Sequence, residues 1–200
     1  MAISLSKGQT INLSKATTDG GEQGLTHVRL GLGWDTKKVE KKGLFGGSKV
    51  VQKSIDLDAS ALLIGGGQVQ DTVYFRQLRS KDGSLQHTGD NLTGRGDGDD
   101  ESIVVDLTAV HPAVEHIVFT VNSYSGQTFA EVDNAYVRVV DSSAGDAELA
   151  RYTLTGSGPH TALVMAKVSR TTQGWQLTAL GTAGNGRTVQ QLAPLALQAV

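Results

Sequence analysis

The chain has 200 residues, 38% hydrophobic and 19% charged, with a formal net charge of −2. That is enough for a sizeable core, and too little net charge to draw the whole molecule toward nucleic acid. There is no cysteine, which excludes disulfides, thiolate zinc sites, iron–sulfur clusters and cysteine nucleophiles. The opening MAISLSKGQTINLSK lacks the basic and apolar regions of a secretory leader. No apolar run reaches the length of a bilayer span, so a soluble cytoplasmic protein is expected.

In chain order, the dominant period is two. In Thr26–Trp34, Val28, Leu30, Leu32 and Trp34 share one face, as in a half-buried strand. The stretch 35–53 carries Lys37, Lys38, Lys41, Lys42, Lys49 and Lys53 and reads as a long loop or hairpin. Ser54–Ile64 alternates Ile55 and Leu57 with Asp56 and Asp58, and Gly65–Gly67 reads as a hairpin turn. Asp71–Arg79 is expected as a strand with Val73 and Phe75 on one face. Strands are expected again at Ser102–Leu107, His116–Tyr124, Ala135–Asp141, Leu149–Leu154, Thr161–Ser169 and Gly174–Leu180. Short helices are expected at Thr108–Glu115 and from Thr188 toward Leu197, the latter interrupted by Pro194. Many short strands, no internal repeat and no dividing linker predict one all-β domain over 1–200, a sandwich or a barrel.

The chemistry concentrates in Asp90–Glu101, DNLTGRGDGDDE. Carboxylates and neutral oxygens crowded on a glycine-rich loop suit a hard cation such as Ca²⁺. Without a cation, so many like charges repel. The segment is not an EF-hand: Leu92 stands where a ligand is required and Arg95 where the sharp turn needs Gly. Gly94, Gly96 and Gly98 let the backbone fold tightly, so that carbonyls join the carboxylates. Asp56 and Asp58 leave one face of their strand roughly 6.5–7 Å apart, too far to chelate one ion unless the strand bends at its end.

Together, Gly89–Glu101 and the preceding Ile55–Ala61 (IDLDASA) resemble the TerD family of tellurium-resistance and stress proteins. Ile3–Leu13, Leu30–Asp35, Gln86–Gly89 and Ser102–Leu107 extend the resemblance over essentially the whole chain. It implies a β-sandwich of two antiparallel sheets binding Ca²⁺ at acidic loops, with two nearby ions. The side-chain ligands it implies are Asp56, Asp58, Asp90, Asn91, Asp97, Asp99, Asp100 and Glu101, with carbonyls around Thr93, Gly94, Gly96 and Gly98. It implies a non-enzymatic sensor or scaffold with protein partners in a stress-response assembly. The chain departs from the family pattern in its Lys-rich insertion, in Ile55 where an aromatic is usual, and in Arg95 where many relatives are acidic. The last makes the loop less negative and predicts weaker affinity.

Other motifs carry less. Arg95–Gly96–Asp97 and the sequon Asn91–Leu92–Thr93 are coincidental in a chain without a secretion signal. His27, His87, His111, His116 and His160 show no paired metal-ligand spacing. No nucleophile elbow, phosphate loop or dinucleotide fingerprint appears, so nothing positive points to catalysis. The Lys-rich loop, with Leu44 and Phe45 at its tip, suggests an alternative: a Ca²⁺-dependent module that docks on a membrane surface. With no Cys and two Met, the chain is poor in the soft ligands that direct capture of tellurium would need.

Overall fold

Period-two patterning becomes two stacked sheets because each sheet must bury one apolar face. The computed structural model describes residues 3–4, 6–16, 22–35, 37–42, 48–53, 55–94, 98–143, 145–154 and 158–200. Its early strands are β1 (Ile3–Ser4), β2 (Thr10–Asn12), β3 (Ser14–Ala16), β4 (Glu22–Gly24) and β5 (His27–Asp35). Next come β6 (Lys37–Lys42), β7 (Ser48–Lys53), β8 (Leu57–Gly65), β9 (Gln68–Val73), β10 (Leu85–His87) and β11 (Glu101–Asp106). The remainder are β12 (His116–Ser123), β13 (Asp133–Asp141), β14 (Ala147–Thr153), β15 (Ala162–Thr171) and β16 (Gly174–Gly184), before helix α1 (Val189–Leu197).

One six-stranded sheet runs β1-β14-β13-β5-β11-β10 and the other β2-β16-β15-β12-β8-β9. Their pairings are antiparallel except β1 with β14, which is parallel. A single core joins their inner faces. Val28, Leu30, Leu32, Ile103 and Val137 of the first sheet meet Ala61, Leu63, Ile117, Phe119 and Leu163 of the second. The expected sandwich of two antiparallel sheets is therefore the observed architecture.

The outer face of the second sheet explains why β8 is buried along its whole length. Helix α1 lies on that face. Val189 and Ala196 pack on Leu62, Ile64, Val118 and Val164. The helix runs through Pro194 despite the lost amide. Gly66 (φ 59°) and Gly67 (φ 70°) make the expected tight turn between β8 and β9.

Two local expectations are corrected. Thr108–Glu115 is not helical. The Asp106 carboxylate accepts hydrogen bonds from the Thr108 and Ala109 amides, drawing them into a turn, and Pro112 then disfavours helix at His111. The strand expected through Arg79 stops at Val73. Tyr74 and Gln77 exchange backbone hydrogen bonds of 3.1 and 2.9 Å across a turn with Phe75 and Arg76 at its tip. Asp71 secures this turn by accepting from the Gln77 side chain and the Lys81 amide. The Lys-rich segment is a hairpin of β6 with β7, placing Lys37 opposite Lys53 and Lys41 opposite Lys49. Leu44 and Phe45 lie outside the described residues.

The acidic loop lies on the outer face of the first sheet, where β5 carries Gly31 and Gly33. A Cβ at Gly33 would stand 2.7 Å from the Gly98 carbonyl oxygen and 2.6 Å from the Tyr136 ring. Gly33→Ala is expected to cost about 2 kcal/mol through this overlap. Urea unfolding checks the value, and an unchanged midpoint would contradict the close approach of loop and sheet.

Candidate metal centre

Leu57 opens β8 with its side chain in the core, so Asp58 stands on the outer face. Asp56 precedes the strand and escapes its strict geometry. Its carbonyl accepts the Tyr124 amide at 3.0 Å, and its amide donates to Ser125 Oγ at 3.3 Å. Asp90 approaches from the loop after β10. One carboxylate oxygen from each of Asp56, Asp58 and Asp90 lies within 4.8 Å of the others. The separation expected from an ideal strand is thus closed at the strand end, where Asp56 lies just outside β8.

These three carboxylates are poorly compensated. Asp58 is 3% exposed and accepts one hydrogen bond, from Asn122 Nδ2 at 2.8 Å. Burial, with Glu101 and Asp56 nearby, pushes its pKa up to about 8. Burial, then Asp90 and Glu101, raises that of Asp56 to about 6. Asp56 Oδ1 is buried without a hydrogen-bond partner. A group of oxygen ligands that resists carrying its own charge is what a hard cation relieves.

The other acidic residues of the loop are held by the protein. Asp99 meets two guanidiniums. Arg138 Nε and Nη2 donate to it at 2.7 and 3.0 Å, and Arg29 Nη1 donates to Oδ2. Burial would raise the Asp99 pKa, but Arg138 and Arg29 overcome it and hold the group below its ordinary value. Asp100 accepts the Trp34 amide at 2.9 Å and the Asn91 side chain at 2.8 Å, while its own amide donates to the Leu32 carbonyl. Burial, aided by Asp35, Glu101 and Asp99, still leaves its pKa raised. Glu101 is 1% exposed. It accepts the Ala59 amide at 2.8 Å and the Asn91 amide at 3.1 Å, with His87 Nε2 at 3.4 Å.

Asn91 shapes the loop. Its Oδ1 accepts from the Thr93 amide and hydroxyl and from the Gly94 amide, at 3.0 to 3.1 Å. Gly94 adopts φ 59° against the Trp34 indole, whose Nε1 donates to the Ile55 carbonyl. Gly98 adopts φ 91°. Gly96, Asp97 and Arg95 lie outside the described residues. The structure therefore brings Asp56, Asp58 and Asp90 together and places Asp99, Asp100 and Glu101 in separate hydrogen-bonded seats. Sequence reasoning passed over Asn122, which faces Asp58 in register across β8 and β12. The available signal was a polar residue, alternating with Thr120, in a strand that also holds Ile117, Val118, Phe119 and Val121.

Residues 1–195 match the TerD domain. The chain belongs to the TerD family. Tellurium resistance protein TerZ of Serratia marcescens is 47% identical over 191 residues, covering 95% of this chain and 94% of that relative. Stress response protein SCP2 of Bacillus subtilis is 39% identical over 205 residues, covering 96% and 98%. Among solved structures, a homologue of telluride resistance protein TerD from Streptomyces coelicolor A3(2) superposes with a TM-score of 0.71. It is 20% identical and covers 86% of this chain and 98% of that one, a likeness of fold. No helix among the described residues is long and apolar enough to cross a membrane.

Two outcomes follow for the ion-free protein. The folded Asp58 keeps its proton between the ordinary 3.8 and about 8, where the unfolded chain has released it. Unfolding then releases a proton, so stability falls as pH rises across that interval. Urea midpoints in EDTA are expected to show this fall, and Asp58→Asn to flatten it. Asp99→Asn, also in EDTA, is expected to lower stability by about 3 kcal/mol, because it leaves two guanidiniums without their shared carboxylate. A change near zero would remove the clamp.

Proposed function

We propose that this TerD-family chain is a non-enzymatic Ca²⁺-binding protein acting as a sensor or scaffold in a cytoplasmic stress response. The observation that carries the reading is the convergence of Asp56, Asp58 and Asp90 with so little internal compensation. Oxygen donors select a hard cation, and the absence of cysteine removes the thiolates that favour soft metals. The ligand set implied by the family resemblance, which also includes Asp97, leaves room for a second ion. The names of the relatives, tellurium resistance and stress response, support the physiological setting. An indirect part in resistance fits this chain better than tellurium capture, for want of soft ligands. Carboxylates saturated by Ca²⁺ also make poor proton carriers, which favours binding over catalysis.

Calorimetric titration of the EDTA-treated, dialysed protein with Ca²⁺ tests the proposal. Saturable binding is expected, with stabilisation of about 2.7 kcal/mol at one hundred times Kd. Asp56→Asn combined with Asp58→Asn is expected to abolish both. No heat and no thermal shift in the unaltered protein would overturn the reading.

A second reading, docking on an anionic membrane, draws on the β6–β7 register, which sets two lysine pairs directly opposite. An anionic surface attracts a segment so rich in lysine. Co-sedimentation with anionic vesicles, with and without Ca²⁺, separates a docking module from a free sensor.

A further inference from the structure

The outer face of the second sheet changes character where α1 begins. Beneath the helix, β8 and β12 present Leu62, Ile64 and Val118. Beyond its first turn, the same alternating positions are Asp58, Ser60, Thr120 and Asn122, all buried. Asp58 stands opposite Asn122, and Ser60 opposite Thr120. A cleft of about 220 Å³ opens there, with Asp58, Ser60 and Asn122 along its floor. Asn122 is 1% exposed. Its amide nitrogen is committed to Asp58 and to the Arg187 carbonyl, while its Oδ1 has no partner. An acceptor-rich floor of this kind calls for a cation.

The rim has the opposite character. It is formed by Arg76 and by Thr188, Val189 and Gln190 at the start of α1. That helix has nine residues, its N-cap Thr188 makes no side-chain capping bond, and its first turn contains no acidic residue. Its first two amides, those of Val189 and Gln190, and its positive dipole end are thus left for an anion, while the Gln191 amide donates to the Thr188 carbonyl. Arg76 is exposed, and among the described residues no carboxylate pairs with it. The wall is aromatic. Phe75 and Tyr124 meet edge to face at 5.8 Å, and Arg76 lies 5.3 Å from the Phe75 centroid. Tyr124 is 39% exposed, a ring held half in solvent beside a polar floor.

We propose that this cleft binds an organic phosphate monoester, its oxyanion bridging the cation at Asp58 to Arg76 and the N-terminus of α1. The ester's apolar group lies against Phe75 and Tyr124. Metal, guanidinium and helix N-terminus together form a phosphate-selective arrangement. The proposal rests on the Ca²⁺ reading above, because the cation satisfies the floor and the anion satisfies the rim.

The test is calorimetric titration with phenyl phosphate and with inorganic phosphate, in Ca²⁺ and in EDTA, with Ca²⁺ affinity measured in parallel. Phenyl phosphate is expected to bind saturably in Ca²⁺, about tenfold more tightly than inorganic phosphate, and not in EDTA. Arg76→Ala, at an exposed turn, is expected to weaken both ligands about tenfold. Tyr124→Ala is expected to erase the advantage of the phenyl group. Ca²⁺ binding with no response to phenyl phosphate overturns this proposal alone, and absence of Ca²⁺ binding overturns both. Phosphatidate vesicles identify the source. Co-sedimentation competed by phenyl phosphate assigns a lipid headgroup, and phenyl phosphate binding without co-sedimentation assigns a soluble ester.

Discussion

Repulsion among carboxylates gathered at one end of the sandwich is the constraint that organises this molecule. Asp56, Asp58, Asp90, Asp99, Asp100 and Glu101 come from two segments that meet only in the fold. Like charges so close are tolerated only when each finds a donor, a cation or a proton. The protein supplies donors to part of the set. Asp99 has Arg29 and Arg138, Asp100 has Trp34 and Asn91, and Glu101 has Ala59 and Asn91. These contacts fasten the loop to both sheets. What they leave uncompensated is the group Asp56, Asp58 and Asp90, held in position by a loop already anchored on either side.

The sandwich makes this possible by ending β8 where it does. Leu57 is locked in the core, so Asp58 faces outward and Asp56 is freed from the strand. Helix α1 covers the apolar part of the same face and stops short of the polar part. The Arg187 carbonyl, just ahead of the helix, accepts from Asn122 on that polar floor, which the helix itself leaves uncovered. The helix start sets an N-terminus beside a buried carboxylate and an aromatic turn. An acceptor-rich floor and a donor-rich rim thus share one cleft.

Much of the fold was legible in the sequence. Val28, Leu30 and Leu32 are sheltered at alternate positions as their spacing predicts, because strand periodicity is a local property. The segments Thr108–Glu115 and Asp71–Arg79 were misread because side chains of Asp106 and Asp71 diverted the backbone into turns. A local pattern count does not register one carboxylate capturing several amides. Asn122 was passed over for a related reason. Its significance is its register opposite Asp58, 64 residues away.

By itself, the sequence determined that this is an all-β protein of the TerD family, rich in oxygen donors for a hard cation and poor in donors for a soft one. Those properties reside in composition, alternation and contiguous motif. Only the tertiary structure decided how the carboxylates divide. Arg29 reaches Asp99 across 70 residues and Arg138 reaches it across 39, because β5 and β13 are neighbours in the first sheet. Asp58, on the other sheet, forms no ion pair among the described residues. Which carboxylate is neutralised depends on what faces it across strands, and strand order is a global outcome of packing that no local stretch of this chain encodes.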